Sequence, residues 1–223
     1  MTMDQVLTYF EERGTESRIK HLVRDGVTQT CFGVPMTDLR TLAKKIKCNH
    51  ELGMELWKSK YFEAMLLACM IMDGTLFSED ELHQMVEEIN HWLLIDFFVR
   101  YVVLSSPELD IVSKKWMNHS CFLVGRAGWM IEVEKIINHV EPVSNYEALL
   151  DDIKHKMKYA PVKKQEAMNR MLVEIATRKN EYYHQAIEIA TTIGPLDDKP
   201  VKKGCISSYA PIWIASILNK KDN

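Results

Sequence analysis

Glycine and proline are scarce in this chain, nine and seven among 223 residues. That leaves too few tight turns for an all-β fold built from many short strands. No apolar run approaches the roughly 18 residues that a membrane-spanning helix requires, so no membrane association is expected. The N-terminus, Met1-Thr2-Met3-Asp4-Gln5, lacks the basic-then-apolar pattern of a secretory leader. Five cysteines (Cys31, Cys48, Cys69, Cys121, Cys205) form an odd, widely spaced set without a C-x-x-C pair. They read as free thiols in a reducing cytoplasm, not as a disulfide framework. None of the eight histidines stands at ligand spacing from a cysteine, so neither metal nor another cofactor is expected. A strong charge of either sign is also missing. The formal net charge of −3 does not advertise a nucleic-acid binder, but its distribution is uneven. Residues 1–150 carry −7 and residues 151–223 carry +4, a mildly basic C-terminal third compatible with a phosphate-binding face.

What the chain does have is apolar residues at helical intervals. Hydrophobic residues make up 47% and charged residues 26%, enough for one substantial domain spanning 1–223. Amphipathic stretches are predicted at 3–13 and 16–24. After a connector through Gly33-Val34-Pro35, Thr37 reads as a helix cap ahead of Leu39, Leu42 and Ile46. Tyr61 to Met72 is almost wholly apolar and must be buried on most sides. Ser78-Glu79-Asp80-Glu81 is a strong N-cap with an acidic first turn. Further helices are predicted at 91–104, at 107–116 with Pro107 in the first turn, and at 122–137. Others open at Ser144, at Pro161 and at Tyr182, and the last runs from Tyr209 to Leu218. About a dozen helices joined by short polar connectors, with no convincing strand, suggest stacked helix pairs instead of a closed bundle.

One helix is chemically odd. His91 to Leu104 is strongly apolar, yet Trp92 and Asp96 stand four residues apart and so share a face. A carboxylate buried there without a partner would cost several kcal/mol. Either a neighbouring helix satisfies it, or an aromatic wall beside an anion forms a site for something positively charged. The thirteen methionines read as adaptable core filling, and the remaining tryptophans, Trp213 among them, as packing between helix pairs.

The ordered landmarks resemble the AlkD-type family of DNA alkylation repair proteins. They are Phe32-Gly33-Val34-Pro35-Met36-Thr37-Asp38-Leu39-Arg40, Leu56-Trp57-Lys58-Ser59-Lys60-Tyr61-Phe62-Glu63, Ile89 to Asp96, Arg126-Ala127-Gly128-Trp129, and Ala186-Ile187-Glu188-Ile189-Ala190 leading to Gly194. The resemblance implies an all-α, right-handed superhelix of HEAT-like antiparallel helix pairs. It also implies a glycosylase that removes cationic N3- or N7-alkylated purines from double-stranded DNA, acting as a monomer without a cofactor. The family's Trp, Asp and Arg would fall at Trp92, Asp96 and Arg126. A further family tryptophan, from a helix near the C-terminus, would fall at Arg170, where no aromatic stands. In that respect the chain looks like a branch with a late Cys and Pro, here Cys205 and Pro211. Lys60, Lys163, Lys164, Arg170, Lys202 and Lys203 are candidate phosphate contacts. Two alternatives stand beside excision: a non-catalytic protein binding damaged or branched nucleic acid, and a helical scaffold for another protein.

Overall fold

A computed structural model describes residues 1–140, 145–196 and 207–221. Among them are thirteen α-helices and no strand, gathered into two compact units, residues 1–114 and 115–223.

The first unit is built on α5. Before it come α1 (Met3–Arg13), α2 (Glu16–Arg24), α3 (Met36–Ile46) and α4 (His50–Lys58); α5 itself is Phe62–Ile71. Every α5 residue except Met70 is buried, which follows from its lack of a polar face. The helix packs against α3, α4 and α7 (Trp92–Tyr101). Gly53 lets α4 come close to the end of α5: a Cβ there would lie 2.4 Å from Met72 Cγ. The N-cap predicted at Ser78 is present and starts α6 (Glu79–Glu87); it is a full capping box, Ser78 Oγ and the Glu81 carboxylate exchanging bonds with each other's backbone N–H.

The only acidic side chain of α5 is also buried. Glu63 is 1% exposed, and its carboxylate accepts the backbone N–H groups of Phe32, Gly33 and Val34 at 3.0, 2.6 and 3.2 Å. An anion in the first turn of α5 also complements the helix dipole. Gly33 has φ +76°, and a Cβ on it would sit 2.3 Å from Thr15 O. Its carbonyl accepts from Thr15 N at 3.1 Å. The connector between α2 and α3 is thus fastened on both sides.

The second unit centres on two long helices, α9 (Phe122–Asn138) and α11 (Val162–Arg178). All residues of α9 from Leu123 to Ile136 are buried. The two helices lie side by side with their first turns together, as the contacts of Gly125 with Lys164 and of Arg126 with Lys163 show. Between them in sequence, α10 (Tyr146–Lys156) packs on α11 and on α12 (Tyr183–Ile193). The last helix, α13 (Ala210–Lys221), rests on α11 and α12. Gly128 lets α9 meet the end of α8 (Leu109–Met117): a Cβ would be 2.3 Å from Met117 N.

Three boundaries differ from expectation. The cap of α3 is Pro35, not Thr37, and the helix starts at Met36; proline fixes a suitable φ and the Thr37 hydroxyl is not needed. The helix predicted to Leu104 ends at Tyr101, and residues 103–105 form a separate 3-10 turn. Pro107 precedes α8, which begins at Leu109. Ser144 lies outside the described residues; Asn145 caps α10, accepting from the N–H groups of Glu147 and Ala148.

Replacing the three-bond acceptor tests this architecture. Glu63→Gln puts an amide NH2 where an N–H needs an acceptor and should cost about 2 kcal/mol, with Glu63→Ala costing about 3 kcal/mol. Urea-unfolding midpoints measure both, and wild-type midpoints would show that the connector does not depend on this carboxylate.

Candidate nucleic-acid interface

The first unit positions α7 through its cap. His91 is 3% exposed, and its Nδ1 accepts from Leu93 N at 3.3 Å. That bond leaves the proton on Nε2, which lies 3.2 Å from Asp25 O and donates to it. The His91 ring also meets Phe62 edge-on at 5.2 Å. Asn90 Nδ2 adds a bond of 2.9 Å to Thr28 Oγ1. The start of α7 is therefore tied to the end of α2, to the following connector and to α5.

So anchored, α7 turns Leu94, Ile95, Phe97, Phe98 and Val99 into the core. Trp92 and Asp96 are half-buried, and Arg100, one turn further on, is exposed. The stripe Trp92, Asp96, Arg100 follows helical spacing on the less buried side. The cost of a sealed carboxylate thus does not arise. Trp92 also walls a cavity of about 410 Å³. Val34, Leu39 and Phe62 contribute apolar lining, while Arg18 and His21 of α2 and its C-cap Asp25 add polar groups. Sequence reasoning missed Arg100, although its i+8 spacing from Trp92 was there to be read. It also missed Arg18 and His21, for which no local signal existed.

Arg126 belongs to α9 in the second unit. It is 5% exposed; its Nη1 donates to Lys163 O at 2.6 Å and lies 3.5 Å from Glu166 Oε2. These contacts fix the guanidinium at the start of α9 against the start of α11.

The candidate phosphate contacts are engaged with protein groups. Lys60, at φ 60°, bonds Glu88 Oε2 at 2.6 Å and lies over the Trp57 ring. Lys163 pairs with Glu166 at 2.8 Å. Lys164 donates to Met117 O at 2.7 Å. Partial burial and the nearby Lys156 charge push its amine below the ordinary lysine range, against the opposing pull of Asp152. Arg170 pairs with Glu174 at 2.5 Å and stacks its guanidinium 5.0 Å from the Trp213 ring centre. Trp213, on α13, thus lies beside position 170, where no aromatic stands. Lys202, Lys203 and Cys205 lie outside the described residues.

These observations define an all-helical protein of stacked helix pairs with an aromatic–carboxylate stripe. The chain belongs to the family described as DNA alkylation repair enzyme, whose model matches residues 5–214. Among solved structures, it is similar to one described as a new family of proteins related to the HEAT-like repeat DNA glycosylases with affinity for branched DNA structures. The two share 25% identity with a TM-score of 0.87, over 99% of this chain and 95% of the other. The HEAT-like repeat fold expected from the sequence is therefore present. Uncharacterized protein Lin0241 of Listeria innocua is 22% identical, and uncharacterized protein Lmo0209 of Listeria monocytogenes 20%, each over 99% of both chains.

Glu88 offers a pH test of the Lys60 clasp. Burial works to raise its carboxyl, but bonds from Lys60 and Trp57 and the Lys60 charge outweigh that and hold it below the usual range. A carboxyl depressed in the folded state contributes stability above its unfolded pKa and loses it as pH falls through the folded one. Glu88→Gln should therefore lower the urea midpoint at pH 7, and the difference from wild type should close at acidic pH. A gap that persists unchanged in acid would refute the clasp.

Proposed function

We propose that this protein is a DNA glycosylase that hydrolyses the N-glycosidic bond of cationic N3- or N7-alkylated purines. Family membership supports the repair role, and the half-buried Asp96 one turn from Trp92 carries the catalytic reading. An alkylated purine is already a cation, so its departure needs no general acid. Positive charge builds on the deoxyribose as the bond breaks. A carboxylate about 4 Å from that charge, at an effective dielectric near 20, is worth up to about 4 kcal/mol. That corresponds to roughly a thousandfold in rate, and Asp96 is the group assigned to supply it. Trp92 offers a π face to the cationic base or sugar, typically worth about 0.5–2 kcal/mol. Arg126 is the phosphate-holding residue in this reading, its bidentate fork setting the register of the DNA backbone.

A second reading is binding of branched or distorted DNA without excision. It is favoured by Arg170, which stands where the resemblance calls for an aromatic, and by the branched-DNA affinity described for the similar solved structure. Release of free methylated purine from alkylated duplex DNA separates the two. Asp96→Asn should cut release by roughly a thousandfold and leave DNA binding intact, and Arg126→Ala should weaken both. If Asp96→Asn excises like wild type, the catalytic assignment is wrong. If wild type releases no base but retards branched DNA on a gel, the second reading stands.

A further inference from the structure

A second cavity, of about 310 Å³, lies within residues 115–223 and has no part in the stripe on α7. It is lined by Lys164, His155, Lys156 and Asp152 over a floor that includes Trp129 and Met168. The lysine is placed with unusual care. Gly125 of α9 leaves room for its stem: a Cβ there would be 3.0 Å from both Lys164 Cδ and Nζ. The Met117 carbonyl fixes the amine at 2.7 Å. A neutral amine satisfies that carbonyl with one N–H and keeps its lone pair. Desolvation and the Lys156 charge favour this neutral form. His155 is oriented too. Its Nδ1 lies 2.9 Å from Asp151 O, which only accepts, so Nδ1 carries the proton and Nε2 is the basic nitrogen. Lys156 pairs with Asp152 at 2.6 Å on the same wall, keeping an ammonium beside the nucleophile.

A nucleophilic amine and an oriented base in one small cavity suit carbonyl chemistry. We propose that this cavity is an abasic-site lyase centre, in which Lys164 attacks the C1′ aldehyde of a ring-opened deoxyribose in DNA and His155 takes a C2′ proton. The amine lone pair of Lys164 bonds to C1′, and the carbinolamine loses water to give a protonated imine. His155 Nε2 removes a proton from C2′, whose electrons form the C2′–C3′ double bond. The C3′–O bond breaks, and its electron pair leaves with the 3′-phosphate. Water then hydrolyses the imine, returning the Lys164 amine and releasing an unsaturated aldehyde on the 5′ fragment. No oxidant, reductant or metal takes part. The substrate is preformed, so this activity does not rest on glycosylase action by the same chain.

The test uses the full chain and a duplex carrying one abasic site, with sodium borohydride added to reduce the imine. Wild type should give a covalent protein–DNA adduct, and peptide mapping should place it on Lys164. Lys164→Arg keeps the charge, and Lys164→Gln keeps a donor for the Met117 carbonyl; both should fall to background while retaining the wild-type circular dichroism. His155→Ala should still form the adduct but cleave the strand roughly a hundredfold more slowly. Absence of a wild-type adduct, its location on another lysine, or undiminished trapping by Lys164→Arg would overturn the proposal. Wild-type cleavage by His155→Ala would overturn the assignment of the base.

Discussion

The first unit depends on one buried carboxylate meeting three backbone N–H groups. An isolated ionised group this deep would be prohibitive, but Glu63 accepts from Phe32, Gly33 and Val34 and sits in the first turn of α5. It thereby holds the connector that brings α2 and α3 around the cavity beside Trp92. The preceding residue, Phe62, packs edge-on against His91, the cap of α7. Two adjacent α5 side chains thus set the position of the helix that carries Trp92 and Asp96. The apolar remainder of α5 supplies burial energy but has no directional preference; the polar contacts supply the register.

The second unit uses the same device with donor and acceptor exchanged. Side-chain N–H groups of Arg126 and Lys164 terminate on the backbone carbonyls of Lys163 and Met117. Those bonds join the starts of α9 and α11 to each other and to the end of α8. Glu174, almost fully buried, is flanked by Arg170 and Arg178 one turn on either side. Breaking such a pair from one side leaves a buried charge uncompensated, which is far more costly than the net worth of the pair itself. These contacts consequently act as locks on helix register more than as sources of stability.

Helix existence was legible because periodicity and caps are local. The apolar run at α5, the Ser78 capping box and the Trp92–Asp96 spacing all sit within a few residues of one another. Glu63 is not legible as a clasp from its own neighbourhood, because its three partners lie some thirty residues away. The lysines and arginines were readable as cations but not as engaged ones: Lys164 finds its carbonyl 47 residues upstream. Likewise, Trp213 was read as packing, whereas its face receives Arg170 from another helix. Helix boundaries slipped where proline geometry or a 3-10 turn decided the end, as at Pro35 and Val103–Ser105. What escaped the sequence was in each case a partner chosen by tertiary structure.

Those engaged cations bear directly on how a mildly basic region can meet DNA. Lys163 and Lys156 each hold a carboxylate while remaining substantially open to solvent. Exposed pairs of this kind are worth only about 0–1 kcal/mol, so exchanging Glu166 or Asp152 for a phosphate oxygen costs little. Arg126 and Lys164 differ, since both are tied to carbonyls and partly or wholly buried. Held by those carbonyls, neither side chain is set to swing out into solvent. The basic residues therefore divide into a mobile class, suited to sequence-independent and salt-sensitive attraction, and a fixed class able to set the register of a backbone. A protein that recognises a lesion or a branch needs both, because attraction without fixed geometry would hold every duplex equally well.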